Sequence, residues 1–230
     1  MIELRDYQAA AIADIRRALM EDKDAAPLAV LPTGAGKSII LTEFCRHVAI
    51  NLKRNVLVVT HVKELLEQLC ETITTVWPDA PVGLYSAGAR SRVVDQITVA
   101  GVQSIYGKAD NLFADCVPDV VLVDEAHLIP PDGDGMYRQL LQTLRAMNPL
   151  VRLVGLTATP YRLKGGLLYG KDRAFSGVCH ETTIDTLVQG GYLAPLVAKG
   201  VTEPDMSGVR TVGGEWNGAD LAGLMEVQDV

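Results

Sequence analysis

The chain has 230 residues, 48% of them hydrophobic and 21% charged, with a formal net charge of −7. That balance belongs to a globular protein with one large core, not to a disordered chain. The acidic excess excludes a domain that holds nucleic acid by bulk charge, but not one that grips the backbone through specific loops.

No apolar run approaches the roughly 20 residues that cross a bilayer, and "MIELRDYQ" lacks the basic-then-apolar order of a secretion signal. The expectation is a soluble intracellular protein, cytoplasmic or nucleoid-associated. Cys45, Cys70, Cys116 and Cys179 are scattered without a CxxC pair, which predicts reduced structural thiols rather than a zinc set.

In chain order, 5–20 reads as a helix, 27–32 as a strand, 37–50 as a helix, 55–60 as a strand and 61–76 as a helix. Strands follow at 82–85 and 97–100, a short helix at 103–107, a strand at 119–124, a helix at 135–147 and a strand at 152–158. The strands are apolar nearly throughout, as parallel strands covered on both faces are. The alternation predicts an α/β fold, a doubly wound, mostly parallel sheet with helices on both faces. From about residue 161 a Gly- and Lys-containing loop gives way to a short helix at 182–190 and a last strand in "LAPLVAKGV". Residues 1–200 are expected to form one lobe, and 201–230, polar and Gly-rich at first, a connector toward a second lobe outside this sequence.

"AVLPTGAGKSII" places Thr33, Gly34, Ala35, Gly36, Lys37 and Ser38 between a strand and a helix. Glycines let backbone N–H groups turn inward around phosphate oxygens, and the helix start adds its own donors and dipole. Lys37 would neutralise the β- and γ-phosphates and the Ser38 hydroxyl would ligate Mg²⁺. The strict GxxxxGK[ST] form fails at its first position, where Leu31 stands.

A phosphate loop of this kind predicts an acid at the end of a second apolar strand, lying beside the first in the sheet. "VLVDEAHLIP" supplies two. Asp124 would hold the Mg²⁺ through water, and Glu125 would take the proton from the attacking water. Alternation along the strand would point one acid at the metal and the other at the γ-phosphate. Two readings of His127 stand: a sensor on the γ-phosphate side, or a cap on the strand end.

The order of "LRDYQ", "LPTGAGKS", "THVKELLEQ", "VQS", "DEAH" and "TATP" resembles that of superfamily 2 helicases, and the Asp-Glu-Ala-His form resembles a DEAH-type member. "HVKELLEQ", "VGLTATPYRL" and "GGYLAPL" are similar to the RadD-like DNA-repair helicases. The resemblance covers roughly residues 1–200 and implies a RecA-like P-loop NTPase lobe using ATP and Mg²⁺. It implies that Gln8, with Arg5 nearby, reads the adenine edge, and that His61 and Lys63 contact the nucleic-acid backbone, DNA rather than RNA. Gln103 and Ser104 would do similar work, although Gly101 stands where the family often has Ser or Thr. Thr157 and Thr159 would couple nucleotide state to the strand-binding face. Arg162, Lys164, Lys171 and Arg173 form a basic loop that reads either as an extra strand contact or as solvated charge.

The family's second RecA-like lobe carries arginines that complete the site, and no Gln-x-x-Gly-Arg-x-x-Arg pattern follows "TATP"; Arg210 is isolated. This lobe alone is therefore expected to bind nucleotide weakly and to be a poor ATPase. The leading expectation is the ATP-binding lobe of a nucleic-acid-stimulated helicase or translocase, in DNA repair. The alternatives are the motor lobe of a restriction-type enzyme and a non-catalytic nucleotide-dependent nucleic-acid-binding module.

Overall fold

Four consecutive residues show how the sheet is covered. Val56 and Val58 join one buried apolar cluster, and Leu57 and Val59 join another on the opposite face. With side chains alternating across a strand, a continuous apolar run serves two cores at once. All four are almost completely buried.

The computed structural model describes residues 3–129, 135–162, 165–195, 206–212 and 215–228. The first half contains α1 (Asp6–Glu21), β1 (Pro27–Val30), α2 (Lys37–Arg46), β2 (Val56–Thr60), α3 (Lys63–Val76), β3 (Val82–Ser86) and β4 (Ser91–Arg92). Next come β5 (Ile97–Gly101), α4 (Val102–Ile105), α5 (Ala109–Leu112), β6 (Val120–Val123), α6 (Met136–Met147) and β7 (Arg152–Thr157). The remainder holds β8 (Tyr161–Arg162), β9 (Gly166–Leu167), β10 (Gly177–Glu181), α7 (Ile184–Gln189), β11 (Thr211–Val212), β12 (Glu215–Trp216) and α8 (Gly218–Gln228).

An eight-stranded sheet runs in the order β10-β1-β7-β6-β2-β5-β3-β4. Every pairing in it is parallel except β3 with β4. One face packs against α1, α2 and α3 through Ile15, Ile40, Phe44, Leu66 and Ile73, and the other against α4, α5 and α6 through Ile105, Phe113, Leu140 and Leu144. Burying side chains of this size contributes about 1.5–3 kcal/mol apiece. The α/β, doubly wound, mostly parallel architecture is as the alternation predicts.

One expectation about the sheet is overturned. β6, which leads to the acids, does not lie beside β1; β7 is inserted between them. Strand periodicity carries no information about strand order, so sequence could not decide this.

Smaller differences have local causes. The helix expected over 37–50 closes with a π-helical turn at His47–Asn51, and a second short helix, α5, follows the one expected at 103–107. β10 escaped notice because "GVCHE" is half polar and only partly buried. Its His180 bridges Asp14 of α1 and Thr182 at 2.8 Å each, pinning the edge strand to α1. Of the last strand expected in "LAPLVAKGV", Leu193, Ala194 and Pro195 are not in a strand, and the rest lies outside the described residues. No helix among the described residues is long and apolar enough to cross a membrane.

Candidate active site

β1 delivers the phosphate loop to the C-terminal edge of the sheet. Leu31, at the position where the strict motif has glycine, is fully buried, and its N–H donates to the Thr157 carbonyl at 2.9 Å. It is the core residue that follows β1, and the loop turns after it. Gly34 and Gly36 make that turn with φ of +83° and +75°, in the left-handed region that glycine enters without penalty. A Cβ on Gly36 would also stand 2.6 Å from the Gln8 amide nitrogen.

The Ala35 carbonyl is turned outward, accepting from the Tyr7 hydroxyl at 2.8 Å and from Gln8 Nε2 at 3.2 Å. α2 begins at Lys37, and the first N–H groups of a helix have no acceptor within it, so its positive end faces the loop mouth. Thr33 and Gly34 are exposed on the rim, and Ser38 is half-buried one residue into the helix. Lys37 Nζ lies 3.5 Å from the Leu31 carbonyl and 3.5 Å from Glu125 Oε1.

At the end of β6, Asp124 is buried, and its N–H donates to the Val59 carbonyl at 3.1 Å. Burial, and next the neighbouring Glu125 charge, push its carboxyl up to about 6, with Lys37 opposing. Strand alternation does not separate the two acids, because β6 stops at Val123. Glu125 instead adopts φ 50° and ψ 54°, a left-handed conformation costing a non-glycine residue roughly 1–2 kcal/mol. This turn presents Glu125 to Lys37 and to His127, whose Nδ1 lies 3.3 Å from Glu125 Oε2. The hydrogen bond to His127 holds the Glu125 carboxyl below its usual range against the effect of burial, and the Lys37 charge assists.

The same His127 Nδ1 meets the Thr157 hydroxyl at 3.1 Å. That hydroxyl donates to the Thr159 carbonyl at 3.0 Å, so it accepts from the imidazole N–H and from the Thr159 amide at 3.2 Å. Lys37, Glu125, His127, Thr157 and Thr159 therefore form one connected chain. His127 is neither an isolated cap nor a peripheral residue; it joins Glu125 to Thr157. Thr159 enters through its backbone.

Two carboxylates face one lysine, leaving a buried negative excess at Asp124 that a divalent cation would neutralise. The donors available, the Ser38 hydroxyl and the Asp124 carboxylate, are hard oxygens of the kind Mg²⁺ takes beside phosphate oxygens. No three His, Cys, Asp or Glu side chains gather as a metal-holding group among the described residues, and a site of this kind does not require one. The loop amides and Lys37 suit a polyphosphate. Gln8 is nearly buried, with Oε1 accepting from the Arg5 amide at 3.1 Å and Nε2 committed to Ala35. It braces the phosphate loop directly, with Arg5 exposed at its side.

The expected nucleic-acid residues gather past the ends of β2 and β5. His61 Nδ1 lies 3.0 Å from Gln103 Nε2; an amide nitrogen only donates, so Nδ1 accepts and Nε2 carries the proton. Partial burial, then the Arg162 charge, keep His61 below its ordinary pKa, so it is a neutral donor. Ser104 Oγ accepts from the Ala87 amide at 3.1 Å, a structural bond unforeseen from sequence. Lys63 opens α3. Gly101 has φ −77° and room for a side chain, its nearest neighbour being Leu66 Cδ1 at 3.4 Å from an added Cβ.

Of the basic loop, Arg162 donates to the Ile129 carbonyl at 3.4 Å, near His61, and Arg173 lines a groove of about 310 Å³ with Ile129, Tyr137, Arg138 and Arg145. Lys171 is exposed, and Lys164 lies outside the described residues. Tyr137 was not legible as a site residue. Its ring packs edge-on against His61 at 4.9 Å, and its buried hydroxyl, like that of Thr60, has no hydrogen-bond partner among the described residues.

A mostly parallel sheet that carries a phosphate loop and an acidic turn linked through a threonine has the fold of a RecA-like P-loop lobe. The chain belongs to the family described as Type III restriction enzyme, res subunit, whose model matches residues 1–162. Among solved structures it is similar to a nuclease-deletion mutant of the Type ISP restriction-modification enzyme LlaGI in complex with a DNA substrate mimic. That match has a TM-score of 0.62 and 15% identity, over 83% of this chain and 21% of the other. It is also similar to the UvsW helicase from bacteriophage T4 (TM-score 0.55, 17% identity, 78% and 60% covered). The Hef helicase domain of Pyrococcus furiosus is a further likeness (TM-score 0.59, 20% identity, 80% and 39% covered). At these identities the likeness establishes the fold, and the chain spans only about a fifth to three-fifths of those proteins. No curated protein sequence matches the chain.

Proposed function

We propose that the chain is the ATP-binding lobe of a DEAH-type, nucleic-acid-stimulated helicase or translocase, RadD-like and acting on DNA in repair. The observation that carries the motor reading is the unbroken chain from Lys37 through Glu125 and His127 to Thr157. A phosphate-loop protein that only binds nucleotide has no need to tie its base to a second strand.

In this reading Thr33, Gly34, Ala35 and Gly36 wrap the phosphates, Lys37 neutralises them, and Ser38 and Asp124 hold Mg²⁺. When bound, the metal neutralises charge that develops on the phosphates. Glu125 accepts the proton of the attacking water, and the Lys37 and His127 contacts keep it ionised and aimed. His127 passes any displacement of Glu125 to Thr157. His61, Lys63, Gln103 and Ser104 lie along the strand-binding edge, where helix starts and neutral donors meet phosphodiester oxygens without a basic domain. A second RecA-like lobe of the same full-length protein supplies the arginines, and the region from 201 onward is the connector toward it.

A second reading, favoured by the family match, makes this the motor lobe of a restriction-type enzyme. The two differ in what is attached, and a nuclease domain in the full-length protein selects the second. Lys37→Ala tests both at their root. It should abolish Mg²⁺-dependent ATP binding in a fluorescence titration of protein whose circular dichroism shows it folded; undiminished binding would remove the nucleotide site.

A further inference from the structure

We infer that Tyr192 is a positioning residue for the nucleotide base: it holds the Arg5 guanidinium as a flat platform beside Gln8. The inference rests on the nucleotide reading above and extends it from the phosphates to the base. Tyr192 lies far from Arg5 in sequence, in the turn that follows α7. The Tyr192 and Leu193 amides both donate to the Leu187 carbonyl, at 2.8 and 3.1 Å, and Gly191 makes the turn with φ +71°. Leu187 is fully buried, so the turn is anchored to the core.

From that anchor the segment lies against both parts of the nucleotide site. Leu193 Cδ2 stands 3.1 Å from where a Gly34 Cβ would be, directly against the phosphate loop. The Arg5 guanidinium carbon lies 5.0 Å from the centroid of the Tyr192 ring, and the Tyr7 ring meets Tyr192 edge-on at 5.2 Å. Arg5 also donates to the Tyr7 hydroxyl at 3.2 Å, and that hydroxyl is bonded to Ala35.

An exposed arginine ordinarily samples many rotamers. Here the guanidinium carbon stands over an aromatic ring and one nitrogen is committed to Tyr7, so the group is held in place. A phosphate takes a guanidinium by its in-plane N–H groups, whereas a stacked guanidinium offers its face to another planar group. The ligand that fits a flat cation next to a carboxamide and a phosphate loop is a purine base. Tyr192 acts through Arg5.

The test separates base from phosphate. In the full chain, affinities for ATP and for inorganic tripolyphosphate, each with Mg²⁺, are measured by calorimetry for wild type, Tyr192→Ala, Tyr192→Phe and Arg5→Lys. Tyr192→Ala and Arg5→Lys should each weaken ATP by roughly tenfold, the scale of a cation–π contact, and leave tripolyphosphate unchanged. Tyr192→Phe, which keeps the ring, should match wild type with both. Unchanged ATP affinity in Arg5→Lys, or equal losses for ATP and tripolyphosphate in Tyr192→Ala, would overturn the inference. A wild-type chain that binds neither ligand would overturn the nucleotide reading along with it.

Discussion

The imidazole of His127 meets the Thr157 hydroxyl at 3.1 Å, while the carbonyl of the same threonine accepts the Leu31 amide at 2.9 Å. One residue is thus tied by its side chain to the acidic turn and by its backbone to the root of the phosphate loop. Thr157→Val keeps the shape and the strand preference but leaves His127 and the Thr159 amide each without this acceptor. In the full-length protein we expect nucleotide affinity to hold and stimulation of ATP turnover by nucleic acid to drop about tenfold, a typical coupling size. Turnover with and without an oligonucleotide measures it; undiminished stimulation contradicts the role.

Glu125→Gln preserves the size and hydrogen-bonding reach of the side chain and removes its capacity to take a proton. ATP binding should persist, because Lys37 and the loop are untouched, while hydrolysis by the full-length protein should fall by roughly 10²–10⁴-fold. Single-turnover measurements on saturated protein isolate that step. A variant that hydrolyses at the normal rate would falsify the assignment of the base.

Asp124 carries a signature in stability. Its folded pKa of about 6 exceeds its ordinary 3.8, so the folded state holds the proton more tightly than the unfolded chain. Stability of the metal-free protein therefore falls as pH rises from about 4 to about 6, and stays lowered above that. Asp124→Asn retains an acceptor for the Glu125 amide, now bonded at 3.0 Å, and removes the buried charge. Near neutral pH and in chelator it should be more stable than wild type by up to about 3 kcal/mol, with the gain vanishing below the ordinary pKa. Mg²⁺ with ATP should raise the wild-type melting temperature more than that of the variant. Thermal melts across pH, with and without Mg²⁺-ATP, check both statements.

The Thr60 and Tyr137 hydroxyls, which have no partner among the described residues, give a second stability prediction. A buried hydroxyl without a partner costs about 1–3 kcal/mol, so Thr60→Val and Tyr137→Phe should each raise the midpoint of urea unfolding without changing its slope. Lower midpoints in both would mean that the hydroxyls are satisfied in solution, by water for instance.

How much of this was legible beforehand varies with the range of the interaction. Strands β1, β2, β5, β6 and β7 are written in nearly continuous apolar runs, and the phosphate loop in the contiguous segment from Thr33 to Ser38. Local chemistry dictated both. Strand order was not legible, because β7 enters between β1 and β6 through backbone pairing that any apolar sequence can make. The left-handed Glu125 also gave no signal, since the residue type disfavours the conformation that the site requires. Tyr137 and Tyr192 were missed for a third reason. Each reaches its partner, His61 or Arg5, only through the tertiary fold, and neither belongs to a spacing that chemistry alone singles out.

The placement of β7 has a mechanical consequence. The phosphate loop rides on one strand and the two acids on another, and these strands share no ladder. Any change in their spacing must pass through the hydrogen bonds on both flanks of β7, from Leu28–Val30 on one side to Val120–Val123 on the other. β7 thus behaves as a strain gauge set between the two jaws of a vice, and Thr157, at its tip, is where the deflection is registered.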